Sequence, residues 1–450
     1  MLVASLALSV AILFATRRNK GPEWAMALMW AICVGPIAIG MIDFRFVNIG
    51  RWLLDIVICG SMLCMLGGAL FYRTYVGGYV AIPVDPVQEA DDFERMRRVC
   101  RWLWIIGMLG GFCLIADFVM AGNRSLSNIN ELRDTFVTKE SASFFARIGS
   151  LLTWAGPFCF LFALLFRDRL KPGELVFFLL PIGAFLLGAL LSAGRQAAFQ
   201  VLLFSLIGQA LYRIRKGPAA DGSGRVFIYA TAAAMVSYMG FIAIVRNDNR
   251  ISDVKSEVLA RLFDFTTAGW FDAAVAPLGT GIRETIIEAV VYFSSSVALF
   301  DRFLDTDLKG ISFGAMNLPF LYRQLTPLTG IDVIQMYELK VATLNAQNVI
   351  GVGWTTTLSH LIMDFGYGGS AILLFLQGML GAWAWRKALR QGDFISCVFA
   401  TLMTIAAIYM PLLPAFSDTN LFLMLIFCIV WRFVGTSGAA PAPATTDPAA

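Results

Sequence analysis

Long apolar runs recur along almost the whole chain, most of them near the length at which a helix crosses a lipid bilayer. A bilayer core of about 30 Å takes roughly 20 helical residues. Runs of this kind cover 2–16, 24–42, 52–71, 102–121, 148–166, 175–192, 196–212, 226–245, 367–385, 394–413 and 420–434. Backbone polar groups in lipid must be satisfied within the segment, so such runs are helices. Composition removes the soluble alternative: 58% of the 450 residues are hydrophobic and 15% are charged, against roughly half and a quarter in soluble domains. The expectation is an all-α, polytopic integral membrane protein with about eleven transmembrane helices.

Orientation follows from where the cations lie. With the N-terminus outside and alternating helices, the inner segments hold nineteen of the 35 Lys and Arg residues, and the short outer loops hold seven. The bias predicts an outside N-terminus and an inside C-terminus. The basic cluster Arg17, Arg18 and Lys20 follows the first run rather than preceding it, which reads as a spanning helix and not a cleaved leader. A net charge of +4 is too small to suggest nucleic acid. The eight cysteines lie in or beside apolar runs, with no CxxC, which argues against a disulfide scaffold or a zinc site.

The domain organisation has four parts. Eight transmembrane helices occupy 1–245, a large outer segment 246–366, three further helices 367–434, and a disordered inner tail rich in Ala, Pro and Thr 435–450. A structureless loop as long as 246–366 is improbable, so this segment is expected to fold. Apolar residues at Ile251, Val254, Val258, Leu262 and Phe265 predict an amphipathic helix lying on the outer leaflet. The apolar run from Thr285 to Phe300 and the mixed run from Ala342 to Met363 predict a re-entrant pair, because a single extra crossing would reverse the side of Arg386, Lys387 and Arg390. The segment is expected to cap a site at the outer face.

Arginine is the informative residue there. Arg195 stands in the short turn Ser192-Ala193-Gly194-Arg195, Arg246 and Arg250 flank Asn247-Asp248-Asn249, and Arg283, Arg302 and Arg323 follow. A guanidinium keeps its charge and pairs two hydrogen bonds with phosphate oxygens, which suits the diphosphate of a lipid-linked substrate; arginines at helix ends also meet lipid headgroups. Asp55 and Asp117 lie inside spans near the same face, where pairing with arginine would offset their cost. The single histidine, His360, precedes Asp364 by one helical turn. A neutral imidazole whose tautomer a carboxylate holds can act as general base on a sugar hydroxyl, and a lone histidine beside apolar residues is also a common structural element. No phosphate-binding GxxxxGK[ST] loop, dinucleotide fingerprint or GxSxG elbow is present.

These elements together resemble the O-antigen polymerases (Wzy), in their oligosaccharide repeat-unit polymerase branch. The matching pieces are Gly194-Arg195, Val245-Arg246, Thr355 to Thr357, and Asp364-Phe365-Gly366-Tyr367-Gly368. A spaced Arg–Gly pattern found in some members is absent here. The resemblance implies a GT-C-like polymerase/ligase architecture and a glycosyl transfer without metal or cofactor at the periplasmic face of the bacterial inner membrane. It implies undecaprenyl-diphosphate-linked oligosaccharides as donor and acceptor, with chain-length regulator and flippase proteins as pathway partners. On that basis His360 and Asp364 are the expected catalytic pair, and Arg195, Arg246, Arg250, Arg302 and Arg323 the expected diphosphate and glycan ligands. The alternatives are an O-antigen ligase-type transferase and, in another class, a transporter of lipid-linked oligosaccharides. Transporters carry charges at mid-membrane and pseudo-symmetric halves, whereas the charges here cluster at one face, no internal repeat is visible and there is a single heavy outer cap.

Overall fold

The computed structural model describes residues 2–17, 20–45, 52–77, 86–120, 144–191, 196–216, 233, 264–346, 355–390 and 393–435. The first part runs α1 (Val3–Thr16), α2 (Pro22–Ala38), β1 (Ile42–Phe44), α3 (Trp52–Phe71), α4 (Pro86–Met120), α5 (Phe144–Leu152), α6 (Ala155–Leu165), α7 (Pro172–Leu191) and α8 (Gln196–Lys216). After β2 (Phe265–Thr267) come α9 (Gly269–Val275), α10 (Thr280–Leu304), α11 (Pro319–Thr329) and α12 (Val333–Ala346). The chain closes with α13 (Thr357–Arg390), α14 (Phe394–Tyr409) and α15 (Thr419–Gly435). Ten of the eleven apolar runs coincide with helices. The run 226–245, apart from Ala233, lies outside the described residues, as do 251–263 of the expected amphipathic helix.

Among the described residues five helices are long and apolar enough to cross a membrane: Trp52–Val76, Ala90–Met120, Phe144–Leu165, Gln196–Lys216 and Thr357–Arg390. Five shorter apolar helices accompany them, Val3–Thr16, Pro22–Ala38, Pro172–Leu187, Phe394–Tyr409 and Thr419–Arg432. The run 148–166 is split into α5 and α6 because Pro157 has no N–H for the Thr153 carbonyl, which instead accepts from Gly156 at 2.9 Å and tightens the turn. Hydrophobic all round, α14 is buried at every position except Phe399, so it forms the centre of the bundle. Against it packs α13, which also lies directly on α3. There Gly68 faces the Phe375 carbonyl and Gly378 faces the Met65 carbonyl with no room for a Cβ on either. Small residues let two backbones meet where lipid supplies no hydrophobic drive.

One short sheet departs from the all-α expectation. β1 pairs antiparallel with β2, Phe44 opposite Phe265 and Ile42 opposite Thr267, with the two phenylalanine rings 6.2 Å apart. Phe265 therefore belongs to a strand and not to a helix end, because β-branched and aromatic residues suit a pleated, half-buried surface. The run from Thr285 to Phe300 is part of α10. The stretch from Ala342 to Met363 is divided between α12 and α13, with 347–354 outside the described residues. α15 continues through Gly435, one residue into the expected tail.

Polar contacts sort the helix ends into two groups. At one end Arg73 pairs with the buried Glu23, Arg97 with Glu174, Lys216 with Asp168 at 3.6 Å and Arg432 with Asp393 at 3.8 Å. The Phe394 amide donates to Asp92 at 2.8 Å in the same region. At the other end Gln196 donates to Asp418 at 3.2 Å and the Thr357 amide to the Met410 carbonyl at 3.0 Å. Asp55 accepts there from the Ser5 amide, at 3.1 Å, and from its hydroxyl. The expected arginine partner of Asp55 is thus replaced by a serine of the neighbouring helix. Asp117 is buried.

Candidate active site

The site forms where α13 breaks. Gly366 has φ 67° and ψ −175°, a conformation open to glycine and costly to residues with a Cβ. The break strands the last carbonyls of the upstream half, which have no helical donor a turn ahead. The segment before α11 supplies donors instead. Gly310 N–H donates to Ile362 O at 2.9 Å, Ile311 N–H to Met363 O at 2.8 Å, and Phe313 N–H to Asp364 O at 3.2 Å.

The Asp364 side chain secures the same segment. It is buried, and its oxygens accept from Ser312 Oγ at 2.6 Å, Met316 N at 3.1 Å, Asn317 N at 3.0 Å and Asn317 Nδ2 at 2.6 Å. Four donors stabilise a carboxylate away from water without a counter-ion.

His360 lies one turn earlier. Its Nε2 is 3.1 Å from Thr355 Oγ1, while Nδ1 is buried with the Met316 backbone beside it. The expected hydrogen bond from the His360 ring N–H to Asp364 is not formed, because the carboxylate oxygens accept from 312–317. Thr355 takes the orienting place.

Behind Thr355 sits Lys340, 2% exposed. Nζ donates to Thr355 Oγ1 at 2.7 Å and to Ser359 Oγ at 3.1 Å, and it lies 5.3 Å from the centre of the Phe303 ring. Burial pushes the Lys340 ammonium well below the ordinary lysine range, and the charge of Asp364 opposes that shift. Phe303 follows Arg302 in the last turn of α10, so the end of α10 that carries Arg302 borders the cluster. Arg302 is half-buried, and Arg323 is exposed on α11. Arg283 is paired with Asp272 at 3.4 Å. Arg195, Arg246 and Arg250 lie outside the described residues.

The sequence marks Thr355 only within the matching piece Thr355 to Thr357, and it does not mark Lys340 or Ser359. The available signal was a cation in the buried stripe of a helix: Val333, Lys340 and Leu344 are the buried positions of α12, spaced by one helical face. Ser312 and Asn317 carried no signal, since their role depends on a contact with a distant helix. No group of three or more His, Cys, Asp and Glu side chains converges to hold a metal among the described residues. No family model, curated protein or solved structure matches this chain.

Proposed function

We propose that this chain is a polysaccharide polymerase of the bacterial inner membrane, transferring undecaprenyl-diphosphate-linked glycan onto another lipid-linked repeat unit at the periplasmic face. The observation that carries the reading is the placement of the only histidine, held by a hydroxyl inside a buried polar cluster at a helix break, bordered by an arginine-bearing helix end. In the reaction His360 takes the proton of the acceptor hydroxyl. That oxygen bonds to the anomeric carbon of the donor, and the carbon–oxygen bond to the diphosphate breaks. Guanidinium groups of Arg195, Arg246 and Arg302 meet the charge on the departing diphosphate, with Arg250 and Arg323 as further ligands. Asp364 serves by holding the 312–317 segment over the site.

An eleven-helix arrangement with the N-terminus outside supports this placement. The ion-paired ends described above carry the residues that the charge bias assigns to the inner side. The start of α13, which carries His360 and the break, lies toward the opposite end, where the Thr357 amide donates to the Met410 carbonyl.

A second reading draws on the same break. Interrupted helices frame binding sites in transporters, and a transporter of lipid-linked oligosaccharide would use one. The carbonyls of Ile362, Met363 and Asp364 before Gly366 accept from the amides of 310–313, so the break is met by the protein's own backbone rather than by a row of free acceptors, which favours the enzyme. The surface glycan of a deletion strain, complemented with wild type or His360→Ala, separates the possibilities. A ladder that collapses to single repeat units and returns only with wild type supports the polymerase. Long polymer left on its lipid carrier indicates a ligase, and an unchanged ladder removes the reading for that glycan.

A further inference from the structure

Hydrogen-bond bookkeeping around Lys340 fixes more than position. Lysine nitrogen brings two N–H groups as an amine and three as an ammonium, and a hydroxyl brings one proton. Ser359 spends its proton on the Thr356 carbonyl at 2.8 Å, so it receives from Lys340 in either charge state. Thr355 Oγ1 stands 2.7 Å from the same nitrogen and accepts its second N–H. The Thr355 proton is then free to point at His360 Nε2, 3.1 Å away, where the ring's part in the contact follows its tautomer. With Nε2 accepting, the proton of the neutral ring sits on Nδ1, on the side of the Met316 backbone.

We infer that Lys340 is a positioning residue which, through Thr355, fixes His360 in the neutral tautomer with the proton on Nδ1 and a basic Nε2. Both other contacts of Nζ, Ser359 Oγ and the Phe303 ring, are neutral, and no carboxylate lies within ion-pair distance of it among the described residues. A lysine kept in such surroundings is costly, and its geometry is directed at the hydroxyl that holds the histidine. The use of this arrangement in glycosyl transfer rests on the polymerase reading. The hydrogen-bond chain itself does not.

The chain has one histidine, so isotope-labelled histidine in the full-length protein, reconstituted in lipid nanodiscs, gives one imidazole to follow. The nitrogen chemical shifts of wild type are expected to report a neutral ring with an unprotonated Nε2. Thr355→Ser, which keeps the hydroxyl, preserves that signature. Thr355→Val, which keeps the shape and loses the hydroxyl, and Lys340→Met both alter it, and each lowers polymer formation by roughly tenfold or more. A wild-type ring protonated on Nε2, or a Lys340→Met spectrum identical to wild type, overturns the inference whatever the glycan shows. An altered spectrum with an unchanged glycan ladder upholds it and removes His360 from the polymerase assignment. If Lys340→Met does not fold, Lys340→Gln takes its place under the same criterion, and identical Thr355→Ser and Thr355→Val spectra overturn the inference by themselves.

Discussion

Asp364 Oδ2 accepts both amides of Asn317, the backbone N–H at 3.0 Å and the side chain at 2.6 Å, tying the segment before α11 to the end of the upstream half of α13. This bond pair gives the carboxylate an architectural part. Replacing Asp364 by Ala leaves the buried Met316 amide and the half-buried Asn317 amide without an acceptor, at a cost on the order of 3 kcal/mol. The expected result is a clear fall in the thermal midpoint of the detergent-solubilised protein. A variant that is fully stable yet inactive would instead give Asp364 a direct chemical role.

Gly366 is the hinge of the same arrangement. Its backbone conformation costs a residue with a Cβ about 1–3 kcal/mol. Gly366→Ala is therefore expected to lower stability by that amount and to loosen the 310–313 amides from their carbonyls. Hydrogen exchange at Gly310 and Ile311 measures the loosening directly; unchanged protection would show that the break does not depend on glycine.

The contact between α3 and α13 depends on two glycines at backbone distance. Gly68→Leu or Gly378→Leu forces the helices apart and is expected to abolish folded protein in membranes. Gly60 on the same α3 has open space around its α-carbon, and Gly60→Ala should be neutral to slightly stabilising. Size-exclusion profiles of the three variants make the comparison.

Lys340 couples stability to pH with a definite sign. Its folded-state pKa lies well below the ordinary value, so the unfolded chain binds more protons, and stability rises with pH between the folded value and about 10.4, the unfolded one. Below the folded value the cost of burying the cation is fully present. Unfolding midpoints of wild type should climb through the mildly alkaline range more steeply than those of Lys340→Met. Parallel curves would contradict a buried, depressed lysine.

The helical frame was legible because its signal is local. Each apolar run declares itself by length, and a limit such as the boundary of 24–42 against Pro22–Ala38 moves by only a few residues. What escaped depends on distant partners. Three-residue strands far apart in sequence leave no periodic trace, so β1 and β2 were missed. The partner of His360 was sought in Asp364, at helical spacing on the same face, but the carboxylate found stronger demand in the amides of 316 and 317. Lys340 carries no motif in the sequence, and its place follows from the burial of its face of α12.

The most direct test of the polymerase account is reconstitution. Purified protein in liposomes is supplied with a synthetic undecaprenyl-diphosphate-linked repeat unit, and the products are resolved by length. The account predicts lipid-linked products of two and more repeat units with release of undecaprenyl diphosphate, and a loss of roughly a hundredfold or more in rate for His360→Ala at unchanged protein level. Products that stay at one repeat unit with active folded protein, or equal rates for wild type and His360→Ala, would contradict it.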